Sequence, residues 1–381
     1  MFLVLGHHMA PCPPESGGFL HLLTAAWIRG GWIGVDLFFV LSGFLVSSLL
    51  FREHERFGEL HIGRFLIRRG LKIYPPFWLL IGITTLPLAL FGKPFPYRAL
   101  ASELLFVQNY GPSIWNHTWS LAVEEHFYLL LAFSFLVLVK YRPTQPFASI
   151  PAAFIAIASL SLILRIAGTS AYDHKTHLYP SHLRLDSLVF GVLLSYLFHR
   201  HQARFLSLAR RFRYSSAGMG VCLLAPAFYF PLESTRFIYT YGLTLFYIGS
   251  GCLVVSALGC RVPSSSFASA TAFIGSHSYS VYLWHMPVAV GAAVVNILLF
   301  HGKIWIAYAA VYFLGSIVFG VGMAICTELP TLRLRDRLFP SRATLLGSES
   351  TVAQGAAADG YLQAEAAVRA EPPQPCGLPT K

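Results

Sequence analysis

Long apolar runs separated by short polar stretches repeat along almost the whole chain. A helix across a bilayer needs about 20 residues. Six runs meet that length: Gly31–Phe51, Ile73–Phe91, Trp119–Val139, Phe237–Leu258, Phe273–Phe300 and Ile304–Ile325. Three shorter ones fall at Ile150–Ile166, Leu185–Phe198 and Ala217–Leu232. Leu and Phe dominate and strict alternation is absent, so the pattern fits helices and not a porin-like barrel. Met1–Met9 (MFLVLGHHM) is apolar but too short to cross, and it lacks the basic start and cleavage site of a signal peptide. The pattern predicts an all-α polytopic integral membrane helical bundle of about ten transmembrane helices. Its first helix is expected to be truncated, with the true start upstream.

Composition supports this. The 381 residues are 55% hydrophobic and 12% charged, about half the usual charged share of a soluble protein. With the start placed inside and the runs alternating, 20 of the 28 Lys and Arg residues fall on inside segments and 7 on outside loops. That bias has the sign of the positive-inside rule. It puts the C-terminus in the cytoplasm and makes the net charge of +11 a topology signal, with no nucleic-acid partner expected. The bacterial inner membrane is the expected location. The six cysteines form no CxxC pair, so neither a metal site nor a disulfide framework is expected. Residues 1–340 read as one membrane domain and 341–381, rich in Ala, Gly, Ser, Pro and Gln, as a disordered cytoplasmic tail.

Four polar clusters interrupt the pattern. In LGHHMAP, His7 and His8 fall near the end of the first apolar stub; histidine is the natural base near neutral pH, though an interfacial histidine also occurs without function. In RFLIRRGLKIYPPFW, Arg68 and Lys72 share a helix face and Arg69 turns about 100° away. Such a cluster suits phosphates or anchors the chain to anionic lipid. Pro75 and Pro76 predict a helix start or kink there. In WSLAVEEHFYLL, Glu124 shares a face with Ser120, and Glu125 lies on another. Either glutamate could complement the positive helix end. In IGSHSYSVYLWHMPV, Ser278, Tyr282 and His285 face one way. Asp36 is a further ionisable residue at membrane depth, and Arg184 and Asp186 read as a pair that neutralises itself.

Together these segments resemble the acyltransferase-3 family of integral-membrane, acyl-CoA-dependent O-acyltransferases. GGWIGVDLFFVLSGFLV, FLIRRGLKIYPPFW, TWSLAVEEHFYLL and IGSHSYSVYLWHMPV look like the family's signature segments in its order, and CTELP resembles the close of its last helix. The resemblance runs from the start to about residue 340. It implies transfer of an acyl group, often acetyl, from acyl-CoA to a hydroxyl of a sugar or glycan. His7 matches the family's essential histidine, Glu124 its Trp-Ser-Leu acidic residue, and Arg68 and Arg69 the start of its basic motif. Lys72 stands where the family has arginine, and the family's arginine about ten residues before the histidine has no counterpart.

The expected site is therefore His7 and Glu124 for catalysis and Arg68, Arg69 and Lys72 for the acyl-CoA phosphates. Asp36, Ser120, Glu125, Arg184, Tyr282 and His285 serve as substrate or structural polar groups. Glu124 is expected to orient His7 as a carboxylate does in a triad, with Glu125 mainly complementing the helix end. No permanently bound cofactor or metal is expected. The partners are acyl-CoA, a glycan, glycolipid or glycoside acceptor, and membrane lipids. The alternative is a transporter or exporter of small or lipid-linked molecules. The lack of an internal repeat counts against one built from inverted halves.

Overall fold

The computed structural model describes residues 1–13, 18–142, 144–168, 171–260 and 265–340. The expected tail, 341–381, lies outside the described residues, and Cys376 with it. Met1–Phe339 form one compact unit. Among the described residues the regular structure is helical throughout: α1 (Phe2–His7), α2 (Gly18–Gly30), α3 (Gly34–Phe57), α4 (Ile62–Leu90), α5 (Tyr97–Leu104), α6 (Trp119–Tyr141), α7 (Ile150–Ala167), α8 (His174–His177), α9 (Leu185–Arg200), α10 (Gln202–Arg211), α11 (Arg213–Tyr229), α12 (Leu243–Gly259), α13 (Ser266–Ser276), α14 (Ser278–Phe300), α15 (Trp305–Met323) and α16 (Leu329–Leu338).

Seven helical segments among the described residues are long and apolar enough to cross a membrane: Gly18–Phe57, Ile62–Leu90, Asn116–Tyr141, Ile150–Ala167, Ile238–Gly259, Ser278–Leu299 and Trp305–Leu338. These are the helices of an integral membrane protein. The expectation was about ten. The shorter runs are helical as well, but α9 has 16 residues, α11 has 17 and α1 only 6, each below the usual crossing length.

Three elements differ from the sequence pattern. The stretch 10–30, expected as a loop, contains α2, whose exposed Phe19, Leu22 and Leu23 and buried Thr24 give it an apolar outer face. The run 273–300 breaks at His277, between α13 and α14. The pair Pro75–Pro76 neither starts nor ends a helix: α4 runs through both from Ile62. Proline has no N–H to bond the carbonyl four residues back. At the same turn the carbonyl of Ile73 accepts a hydrogen bond from the Tyr279 hydroxyl of α14, 2.7 Å long. The carbonyls that lose their helical donor are those of Leu71 and Lys72, so this bond is an added tie between α14 and α4 beside the gap.

Glycine permits the closest crossing. A Cβ on Gly43 of α3 would lie 2.0 Å from the carbonyl oxygen of Leu188, and one on Gly191 of α9 would lie 2.2 Å from that of Val40. Small residues let membrane helices approach this closely. The main hydrophobic core includes Phe39, Phe77, Phe127 and Phe246, each at most 1% exposed.

Candidate active site

The site is assembled where α1 and the α2–α3 joint meet the start of α6 and the first turns of α14. A three-residue turn, Asn116–Thr118, leads into α6. It hangs from the fully buried carboxylate of Glu103 on α5, which accepts hydrogen bonds from the amides of Ile114 (3.0 Å) and Trp115 (3.3 Å) and from the Thr118 hydroxyl (3.0 Å). Burial pushes the Glu103 carboxyl up to about 7 against the opposing pull of those donors. The Gln108 amide, donating to the Thr118 carbonyl at 3.0 Å, fixes the turn from the other side.

This turn delivers His117 to a group of four histidines. Ring centroids lie 4.8 Å apart for His7 and His8, 5.1 Å for His8 and His285, and 4.9 Å for His285 and His117. Three of these rings are tied to backbone carbonyls: His7 Nδ1 to Ile28 at 2.6 Å, His117 Nε2 to Leu283 at 3.1 Å, and His285 Nδ1 to Tyr282. A carbonyl oxygen only accepts, so each tied nitrogen carries the hydrogen in the neutral ring. The basic nitrogens are then His7 Nε2, His117 Nδ1 and His285 Nε2.

His7, His8, Trp32, His117, Arg184 and Tyr282 line a cavity of about 70 Å³. Three buried polar atoms of residues in this lining have no hydrogen-bond partner among the described residues, the donors Trp32 Nε1 and Arg184 Nε and the acceptor His117 Nδ1, and the same holds for Nε2 of His285, whose ring lies against those of His8 and His117 outside the lining. Buried polar groups are nearly always bonded, so such a set marks a place where a ligand with both donors and acceptors fits. The Tyr282 hydroxyl donates to the His117 carbonyl at 2.5 Å and accepts from the Ser120 hydroxyl at 2.6 Å, which locks α14 onto α6. Trp119 stacks on Tyr179 at 4.8 Å with 13° between the rings, giving the cavity a flat aromatic wall. An apolar slot of about 250 Å³ borders the cavity and shares Val4, Val35 and Tyr282 with its lining.

The two glutamates lie elsewhere. Glu124 and Glu125 are 3% and 7% exposed, and each keeps one carboxylate oxygen unpartnered among the described residues. Glu124 meets the hydroxyls of Ser42 and Tyr128 and faces Arg69. It is one helical turn beyond Ser120, which already occupies the level of the cavity. The expected contact with His7 is not made, and the Ile28 carbonyl orients His7 in its place. Glu125 accepts from the Tyr74 hydroxyl at 2.9 Å. It is the seventh residue of α6 and buried, so it does not complement the helix end.

The basic cluster divides. Arg69 turns inward over the ring of Tyr128, 5.6 Å from its centroid. Arg68 turns to α16, where it pairs with Asp336 at 3.0 Å and donates to the Phe339 carbonyl. Lys72 lies within electrostatic reach of Glu328, Arg69 and Arg335. Arg184 and Asp186 do not neutralise each other. Residues two apart at a helix start face different ways. Arg184 reaches Asp36 of α3 at 2.7 Å, and Asp186 pairs with Arg165 of α7.

Sequence reasoning missed Trp32, Glu103 and His117. His117 carried a signal, since it stands two residues before Trp119 in NHTWS. Glu103 and Trp32 carried none, because their roles depend on contacts distant in sequence.

Residues 1–325 match the acyltransferase-3 family, described as an acyltransferase domain. O-acetyltransferase OatA of Staphylococcus aureus strain NCTC 8325 is 29% identical over 302 residues, covering 72% of this chain and 48% of that protein. A protein of S. aureus strain COL, provisionally named an O-acetyltransferase, is 27% identical over 299 residues, covering 71% of this chain and 48% of its own length. The chain therefore spans about half the length of the curated relatives it matches. No solved structure matches it. With the family matched over most of its length, the chain belongs to the acyltransferase-3 family.

Proposed function

We propose that the chain is an O-acyltransferase that moves an acyl group, most simply acetyl, from acyl-CoA to a hydroxyl of a glycan, glycolipid or glycoside. It would cross the bacterial inner membrane about ten times, with α9 and α11 as shorter spans and the C-terminal segment in the cytoplasm. The names of its relatives support acyl transfer to oxygen. The bias of 20 inside against 7 outside basic residues supports the orientation.

The observation that carries this reading is the set of unpartnered polar atoms around the histidine cavity. A sugar hydroxyl donates to a basic imidazole nitrogen, and a thioester carbonyl accepts from Trp32 Nε1 and Arg184 Nε. With the hydroxyl proton taken by His7 Nε2, its oxygen attacks the thioester carbon. The new C–O bond forms, the C–S bond breaks, and the proton passes to the departing CoA sulfur. The two N–H donors meet the negative charge that develops on the carbonyl oxygen, where fixed donors lower the barrier most. The Ile28 carbonyl holds the tautomer of His7 that this requires. Glu124 is a positioning residue, holding the hydroxyls of Ser42 and Tyr128 between α3 and α6. The Trp119–Tyr179 wall suits the face of a sugar ring, and the apolar slot suits the acyl chain or pantetheine arm. The basic residues of α4 would hold the donor's phosphates on the inner side.

The test is thiol release from acetyl-CoA by membranes carrying the full chain, with and without added glycan. Acceptor-stimulated release supports transfer. A transporter would move label across the membrane without producing free thiol.

A further inference from the structure

The last helix among the described residues, α16, brings an arginine to the basic end of α4. Arg335 of α16 holds the Asp336 carboxylate with two parallel bonds, Nε and a terminal nitrogen each 3.0 Å from an oxygen. Arg68 of α4 reaches the same carboxylate at 3.0 Å from the other side. Two guanidinium groups, 267 positions apart in sequence, thus converge on one anion. Arg64 and Lys72 lie within electrostatic reach of this pair, so the carboxylate sits in a strongly positive surrounding. The arginines are largely covered, with side chains 19% and 17% exposed, whereas Asp336 is 53% exposed. The weakest-held member of the group is therefore the anion.

A guanidinium fork recognises phosphate by the same geometry as carboxylate, and phosphate brings more charge and more acceptor oxygens. We infer that Arg335 and Arg68 form a clamp for a phosphate group of the acyl donor, and that Asp336 holds the clamp in place until that phosphate displaces it. The inference rests on the acyl-CoA reading above and extends it to a helix outside the basic cluster of α4. It also explains why Arg68 faces α16 while Arg69 turns into the bundle. Binding then costs the donor a competition with Asp336, and the outward swing of that residue leaves the fork of Arg335 free.

The test measures coenzyme A binding to the full chain in phosphatidylcholine nanodiscs, by thermal melting across a ligand titration. Asp336→Asn removes the competing charge and keeps the shape. Exposed ion pairs are worth at most about 1 kcal/mol, so the dissociation constant should fall by about two- to fivefold. Arg335→Ala should raise it by about tenfold, and Arg335→Lys, which keeps the charge without the fork, should fall between. Arg68→Ala is the reference for loss of the other half. Binding lost in Arg68→Ala but unchanged in both Arg335→Ala and Asp336→Asn overturns the clamp and leaves the donor reading standing. Failure of the unaltered chain to bind coenzyme A overturns both. A parallel series with phosphatidylglycerol in the disc separates the sources of phosphate. If the variants alter melting only with that lipid, the clamp holds a headgroup and the inference is wrong.

Discussion

Gly31→Ala tests how α1 is held. Gly31 lies in the joint between α2 and α3, and a Cβ there would stand 2.2 Å from the Leu3 carbonyl oxygen, 2.9 Å from the His7 amide nitrogen and 3.1 Å from the His7 Cβ. Carbon and carbonyl oxygen in contact normally keep about 3.3–3.6 Å. The backbone of α1 must therefore retreat by roughly 1 Å, because no flexible side chain lies in between. Overpacking of this kind costs about 1–3 kcal/mol of stability. Displacing a reacting group by 1 Å costs on the order of a hundredfold in rate. The expected outcome is a folded protein with kcat lowered about a hundredfold and the donor KM changed less than threefold. Gly18→Ala on α2 is the control, since its Cβ would meet nothing within 4 Å. Purified protein in nanodiscs, assayed for acyl transfer alongside its melting temperature, gives both quantities. A Gly31→Ala protein with unaltered kcat and normal melting would refute the reasoning, because His7 would then not depend on this contact.

Further predictions follow from other parts of the site. Glu103 binds its proton more tightly folded than unfolded, so stability falls as pH rises from the ordinary carboxylate range through about 7. The loss amounts to roughly 3 kcal/mol, and Glu103→Gln should flatten that part of the melting profile; an unchanged profile refutes the assignment. Asp36→Asn leaves Arg184 buried without its partner and should cost about 3–5 kcal/mol, with the double variant Asp36→Asn/Arg184→Gln less damaged than the sum; simple additivity counts against a coupled pair. Gly275 lines the apolar slot and its Cβ would meet nothing within 4 Å, so Gly275→Leu adds apolar bulk at the slot's wall from a Cβ that meets no neighbour. It should weaken use of long-chain donors more than acetyl-CoA while melting stays normal, and equal loss for all donors would mean the slot seats something other than the chain.

The membrane helices were legible because the bilayer imposes a length and a composition that no soluble fold needs. Glu124, Ser120, Tyr282 and His285 stood out for the same reason, as polar groups in apolar runs. Their partners did not. Asp36 joins Arg184 across 148 positions, and the carbonyl that orients His7 lies on a helix the pattern had placed in a loop. Arg184 and Asp186 looked like a pair because they are only two apart in the chain, yet a helix start separates them in space. The continuous α4 was hidden by Pro75 and Pro76, which read in the sequence as a start or kink although the helix runs through both. Spacing along one helix can be read from the sequence, whereas contacts between helices depend on the assembled bundle.

The most direct test of the account follows label from acetyl-CoA into glycan and glycoside fractions, using membranes with the unaltered chain and with His7→Gln. Catalysis by His7 predicts acceptor-bound label that His7→Gln removes at normal expression and melting temperature. Equal labelling by the two proteins would contradict it, since the proton would then be leaving the hydroxyl by a route that does not pass through His7.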